Sequence, residues 1–123
     1  MNDNNCPFCT PNVYVLNNDL AYVRYDKYPV NDGHLLVIPF RHVSNYFELT
    51  SEERAAVFLL VDEAKSLLDR ELNPDGYNIG INVGESAGQT VWHAHVHVIP
   101  RYKGDISDPR GGVRGVIPDK KKY

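Results

Sequence analysis

At 123 residues the chain has room for one domain with a single core and none for a second. Its net charge of −3 excludes the broad basic field of a nucleic-acid binder, so a small anionic ligand has to be held by local donors. No apolar run reaches membrane-spanning length, and Met1-Asn2-Asp3-Asn4-Asn5 has neither the basic start nor the apolar stretch of a signal peptide, so the expectation is a soluble cytoplasmic protein without nucleic-acid or membrane partners.

Both cysteines stand in Cys6-Pro7-Phe8-Cys9, a pairing that suits either a redox couple or half of a zinc site. A redox pair is expected between a strand and a helix, whereas this one stands at the N-terminus, which favours zinc. Structural zinc takes four ligands, so two more are required, and the chain has five histidines to supply them. Thr10-Pro11-Asn12 reads as a turn and residues 13–16 as a first short strand. Asn17-Asn18-Asp19 then turns the chain into a second strand over 20–25, its hairpin partner.

Pro29 and Gly33 mark 26–33 as a loop. The apolar run 34–39 predicts a central strand buried on both faces. Thr50 and Glu53 form a capping box, and Val57, Leu60, Val61, Ala64, Leu67, Leu68 and Leu72 recur at helical spacing. The helix is predicted over 51–71, ended by Asn73-Pro74-Asp75-Gly76, and serves as scaffold. Residues 76–83 alternate as a strand whose Gly76 and Gly80 suggest close approach by another backbone or a ligand. The small-residue loop 84–89 can present backbone N–H groups to an anion.

That loop delivers the chain to Gln89-Thr90-Val91-Trp92-His93-Ala94-His95-Val96-His97-Val98-Ile99-Pro100. In an extended strand successive side chains alternate faces, so His93, His95 and His97 share one face while Ala94, Val96 and Val98 share the other. Three imidazoles in a row contribute little to packing and are hard to explain as core. Two chemical readings remain: the row binds a metal, or one imidazole attacks phosphorus while its neighbours hold the anion.

Gln-Thr-Val-x-His-x-His-x-His followed by two apolar residues resembles the signature of the histidine-triad (HIT) family of nucleotidyl hydrolases and transferases. The resemblance extends to Asp26 three residues before Pro29, to Gly33-His34 opening Leu-Leu-Val-Ile-Pro, and to Arg41-His42. It implies that His95 is a nucleophile toward the α-phosphorus of an adenosine-type nucleotide, giving a nucleotidyl-histidine that water cleaves. It further implies that His97, and His93 if free of metal, donate to phosphate oxygens, that Gln89 orients the phosphate or the water, and that His34 supports the site beside His95. Asp26 is then expected on the ribose hydroxyls, Thr90 at the leaving-group oxygen, and Asn82 and Gly88 at further nucleotide-facing positions. Some members hold zinc, and the corresponding residues here are Cys6, Cys9, His42 and His93; such a zinc would be structural.

The order β-β-β-α-β-β predicts an α+β domain, an antiparallel sheet of about five strands with one long helix across a face. The resemblance adds a homodimer with a continuous sheet, and no organic cofactor. Within the family, Gln-Thr-Val before the triad and Pro100-Arg101-x-Lys103-Gly104-Asp105 after it look closer to the diadenosine-polyphosphate hydrolase branch, the fragile-histidine-triad type, than to the phosphoramidases. A non-catalytic nucleotide-binding module and a metal-dependent hydrolase are the competing classes. One domain over 1–123 is expected, with its core over 6–105 and a tail over 106–123, whose Arg110 or Arg114 either lies in a solvated terminus or reaches a polyphosphate.

Overall fold

The computed structural model describes residues 5–11 and 13–123, so Asn12 of the expected turn lies outside the described residues. Five strands form one sheet: β1 (Leu16–Asn17), β2 (Ala21–Tyr25), β3 (Leu35–Pro39), β4 (Gly76–Gly80) and β5 (Val96–Arg101). Their spatial order is β1-β2-β3-β5-β4 and every neighbouring pair is antiparallel. One long helix, α1 (Ser51–Glu71), joins β3 to β4. The α+β architecture read from the sequence is the one observed.

The alternation of strand side chains gives the sheet two unlike faces. Ala21, Val23, Leu35, Val37, Val96 and Val98 pack against Val57, Leu60, Val61, Ala64 and Leu68 of α1. Tyr22, Leu36 and Ile38 point the other way and are covered by Cys6, Phe8 and Cys9. Because β3 contributes to both cores, all five of its residues are buried. Each such aliphatic side chain contributes about 1.5–3 kcal/mol by leaving water.

The helix begins where its capping box requires. Glu53 N–H donates to Thr50 Oγ1 at 3.0 Å, and Thr50 N–H donates to Glu53 Oε1 at 2.9 Å. The buried Glu53 carboxylate also receives both arms of Arg41, at 2.8 and 2.9 Å, which ties the helix start to the segment after β3. Asn73 adopts a left-handed conformation (φ 48°) and donates its N–H to Leu68 O, closing the helix. Gly33, at φ +89°, comes so close to this end that a Cβ would stand 2.6 Å from Leu72 Cδ1. Among the described residues no helix is long and apolar enough to cross a membrane.

Three local expectations need correction. The first strand is only Leu16–Asn17, although Val15 N–H still donates to Val23 O. Strand β4 stops at Gly80, and a Cβ added at Gly76 or Gly80 meets nothing within 4 Å, so neither glycine marks a close approach within the chain. The largest correction concerns the histidines. The ladder of β5 starts at Val96, because its partners on β3 reach only from Leu35 to Val37 and β4 ends opposite His97. His93 and His95 lie ahead of the strand, and between them Ala94 N–H donates to Val43 O at 2.8 Å.

Candidate functional site

Gln89 is buried, and its amide holds the loop that enters the site. Its Oε1 accepts from Gly84 N–H at 2.9 Å, while Nε2 donates to the carbonyls of Ser44 and Val91. Both amide hydrogens are thereby committed to backbone, so the side chain shapes the loop rather than standing free for phosphate or water. Gly88 makes the last turn of that loop at φ +92°.

The bend after the loop sends His93 away from its two companions. Fully buried, its Nε2 donates to Pro39 O at 2.8 Å, which leaves the Nδ1 lone pair for other partners. Nδ1 lies 3.4 Å from Cys6 Sγ, 3.5 Å from Cys9 Sγ and 3.1 Å from His42 Nδ1, and Cys9 Sγ lies 3.0 Å from His42 Nδ1. These four donor atoms lie within 4.8 Å of one another. A tetrahedral ion bonded at about 2.3 Å to sulfur and about 2.0 Å to nitrogen would space its donors by roughly 3.3–3.8 Å, so adjustments of a few tenths of an ångström, the two shortest pairs opening slightly, suffice to grip one. The donor set and its tautomer fit a metal ion. Burial pushes the Cys6 thiol up, a cost that a cation beside it would reverse.

His95 and His97 turn instead toward a cavity of about 880 Å³. His95 Nδ1 donates to His93 O at 2.8 Å, so its Nε2 keeps the lone pair. A second chain of bonds fixes His97 the opposite way. Val30 N–H donates to His34 Nδ1 at 3.0 Å, which puts the His34 proton on Nε2, 2.9 Å from His97 Nδ1. His97 Nδ1 accepts, and its own proton is left on Nε2. One neighbouring ring thus offers a lone pair and the other an N–H.

Burial keeps these rings neutral. It lowers His95 and His34, against the opposing pull of the His93 carbonyl on the first and of Asp26 on the second. For His97, burial with the added presence of His95 and His34 brings the value to about 4. Among the described residues Asp26 is the carboxylate at this cluster, with Oδ2 3.4 Å from His34 Nε2 and 4.0 Å from His97 Nδ1.

A model of the HIT domain matches residues 9–104 of this chain. The chain belongs to the HIT family. The AP-4-A phosphorylase of Mycobacterium tuberculosis is 40% identical over 94 residues, covering 76% of this HIT protein and 48% of the phosphorylase. The bis(5'-adenosyl)-triphosphatase of Dictyostelium discoideum is 38% identical over 90 residues, covering 73% of this chain and 60% of that one. The chain therefore spans about half the length of the first relative and three fifths of the second. Among solved structures, a Zn-bound histidine triad family protein from Mycobacterium smegmatis superposes with a TM-score of 0.76 at 32% identity, covering 85% of this chain and 80% of that one.

In this HIT protein the cavity wall brings together Asp26, Asn82, Gly88, Thr90, His95 and His97, with Gln89 among the loop residues beside them. The Cys6, Cys9, His42 and His93 set also comes together, though as a separate cluster. His34 is buried behind the wall and contacts His97, not His95 as expected. Arg110 and Arg114 stand elsewhere: Arg110 pairs with Asp108, and Arg114 donates to Lys120 O within the tail. Phe8, Arg24 and Lys27 also line the cavity and were not singled out from the sequence. For Arg24 a signal existed, since period-two alternation puts it on the face of Tyr22, opposite Ala21 and Val23.

Proposed function

We propose that this HIT protein cleaves purine dinucleoside polyphosphates, of the diadenosine type, at an α-phosphate through a nucleotidyl-His95 intermediate. The observation that carries the reading is the His95 Nδ1–H bond to the His93 carbonyl, which leaves a neutral ring with its Nε2 lone pair unspent in the wall of a nucleotide-sized cavity. The names of the two relatives above, AP-4-A phosphorylase and bis(5'-adenosyl)-triphosphatase, support the substrate class.

In the first step Nε2 attacks phosphorus, a P–N bond forms, and the anhydride P–O bond breaks with its electron pair leaving on the departing phosphate. In the second, water attacks the same phosphorus, the P–N bond breaks with its electron pair returning to Nε2, and one proton of the water passes to solvent as the nucleoside monophosphate forms. Bonding of the His95 Nδ1 proton to a carbonyl favours the positive charge that the ring acquires while bonded to phosphorus. The His97 Nε2–H is directed at the phosphate oxygens, held in that tautomer by His34 as a positioning residue. Asp26 takes the ribose hydroxyls, for which a carboxylate can accept two bonds. Asn82, Gly88 and Thr90 complete the nucleotide's surroundings.

Zinc is the ion proposed for Cys6, Cys9, His42 and His93, where it supplies a cross-link between the N-terminal turn, the segment after β3 and the start of the triad. The expected metal content is one zinc per chain, lost in Cys9→Ser as read by elemental analysis. A homodimer built edge to edge would use β1 or β4, the two outer strands of the sheet, and sedimentation would register it.

The substrate reading is tested by comparing turnover of diadenosine tetraphosphate with that of an adenosine phosphoramidate. Faster cleavage of the tetraphosphate is expected; faster cleavage of the phosphoramidate, or of neither, would contradict it.

A further inference from the structure

Arg24 on β2 is a cation in the cavity wall with no carboxylate partner among the described residues. Its guanidinium lies 5.8 Å from the Phe8 ring centroid. Its bonds are long, from Nε to Tyr25 O at 3.4 Å and from Nη1 to Pro7 O at 3.5 Å, and the Tyr22 hydroxyl stands beside it. Five N–H donors exceed these contacts, so the group has capacity left for a ligand.

The sheet register says which part of a ligand it would meet. Arg24 pairs with Leu36, and Leu36 pairs with His97, so the three form one row across the site face. Adjacent strands are about 4.8 Å apart, which puts Arg24 and His97 roughly 10 Å apart at the backbone. Leu36 is the apolar floor between them, and Phe8 stands over the same region with its ring 5.1 Å from that of His95. A nucleotide with its α-phosphorus at His95 and its ribose at Asp26 has one flat apolar part left, the base. That part belongs over Leu36 and beside Phe8, which brings its edge to Arg24.

We infer that Arg24 selects the base, favouring a 6-oxopurine such as guanine over adenine. Guanine offers two adjacent acceptors, O6 and N7, which match two N–H groups of one guanidinium. Adenine presents an N6 amino group at the same place, and donor would face donor. This inference rests on the proposed function for the placement of phosphate and ribose, and it adds a base preference within that substrate class, dinucleoside polyphosphates with a 6-oxopurine binding more tightly than the all-adenine ones that are also cleaved.

The test is calorimetric titration of zinc-loaded protein with GMP and with AMP, which bind without turnover. For the wild type, GMP is expected to bind roughly tenfold or more tightly than AMP. Arg24→Leu should remove most of that difference. Arg24→Gln should reverse it, because a glutamine amide can accept from N6 and donate to N7 of adenine. Metal content and melting temperature, read on each variant, show that the segment around Pro7 remains in place. Equal affinities in the wild type, or equal losses for both nucleotides in both variants, would overturn the role of Arg24 and leave the proposed function standing. Failure of both monophosphates to bind the wild type would instead overturn the proposed function itself.

Discussion

Along β2, Ala21 and Val23 turn toward α1 while Tyr22 and Arg24 turn toward the cysteine-bearing segment, and the two faces so produced are held by different physics. The helix face is an aliphatic layer whose contribution scales with volume and area, with little dependence on direction. The other face is organised by the direction of single hydrogen bonds: Nδ1–H of His95 toward His93 O, and the proton of His34 toward His97. Even its packing is tied to polar groups, since the Tyr22 hydroxyl, pushed up to about 12 by burial, donates to Phe8 O at 2.8 Å. One face should therefore lose stability in proportion to what is deleted, and the other should lose activity while the fold survives.

The comparison breaks most sharply at His95. His95→Ala is expected to lower kcat by about 10³-fold or more, equivalent to about 4 kcal/mol of barrier, with a thermal melt close to the wild type's. A similar kcat would mean that the site face does not carry the chemistry. Leu60→Ala, on the opposite face and fully buried, should cost about 3 kcal/mol in urea denaturation, with kcat per folded molecule retained.

Acid provides a third, smaller probe. The His97 value falls from 6.5 to about 4 on folding, so between those pH values the unfolded chain binds a proton that the folded chain does not. Stability should fall as pH drops through that window and the loss should be complete below it, with roughly 3 kcal/mol as its ceiling for this ring and less in practice because water reaches part of it. Denaturant midpoints at pH 7 and 4.5 would register it, and His97→Gln should flatten the slope. The smallest effect is expected for Thr50→Ala, which removes one half of the capping box and should cost about 1 kcal/mol without touching activity.

The sequence was most legible where structure is local. The bounds of α1 follow from Thr50, Glu53 and the Asn73-Pro74 stop, all within reach of the helix itself. The double burial of β3 follows from its unbroken apolar run. The path of the triad did not, because alternation over His93, His95 and His97 looks like a strand whether or not partners are present. Only the ends of β3 and β4 decide where β5 begins, and those are long-range facts. The same limit hid the pairing of His34 with His97, 63 positions apart, and the spent amide of Gln89. Histidines, cysteines and Asp26 stood out by residue type and motif. Arg24 did not, since an arginine on a short strand is most often solvated, and its neighbours Pro7 and Phe8 are brought to it only by folding.

The central claim is that a single imidazole, His95, bonds transiently to phosphorus. Mixing the protein with diadenosine tetraphosphate, quenching in the first turnover and mapping the modified peptide by mass spectrometry tests it directly. The account expects a nucleotidyl group on His95, on the peptide that also carries His93 and His97, and none in His95→Ala. Full turnover by His95→Ala, or an adduct mapped to His97 or to His34, would contradict it.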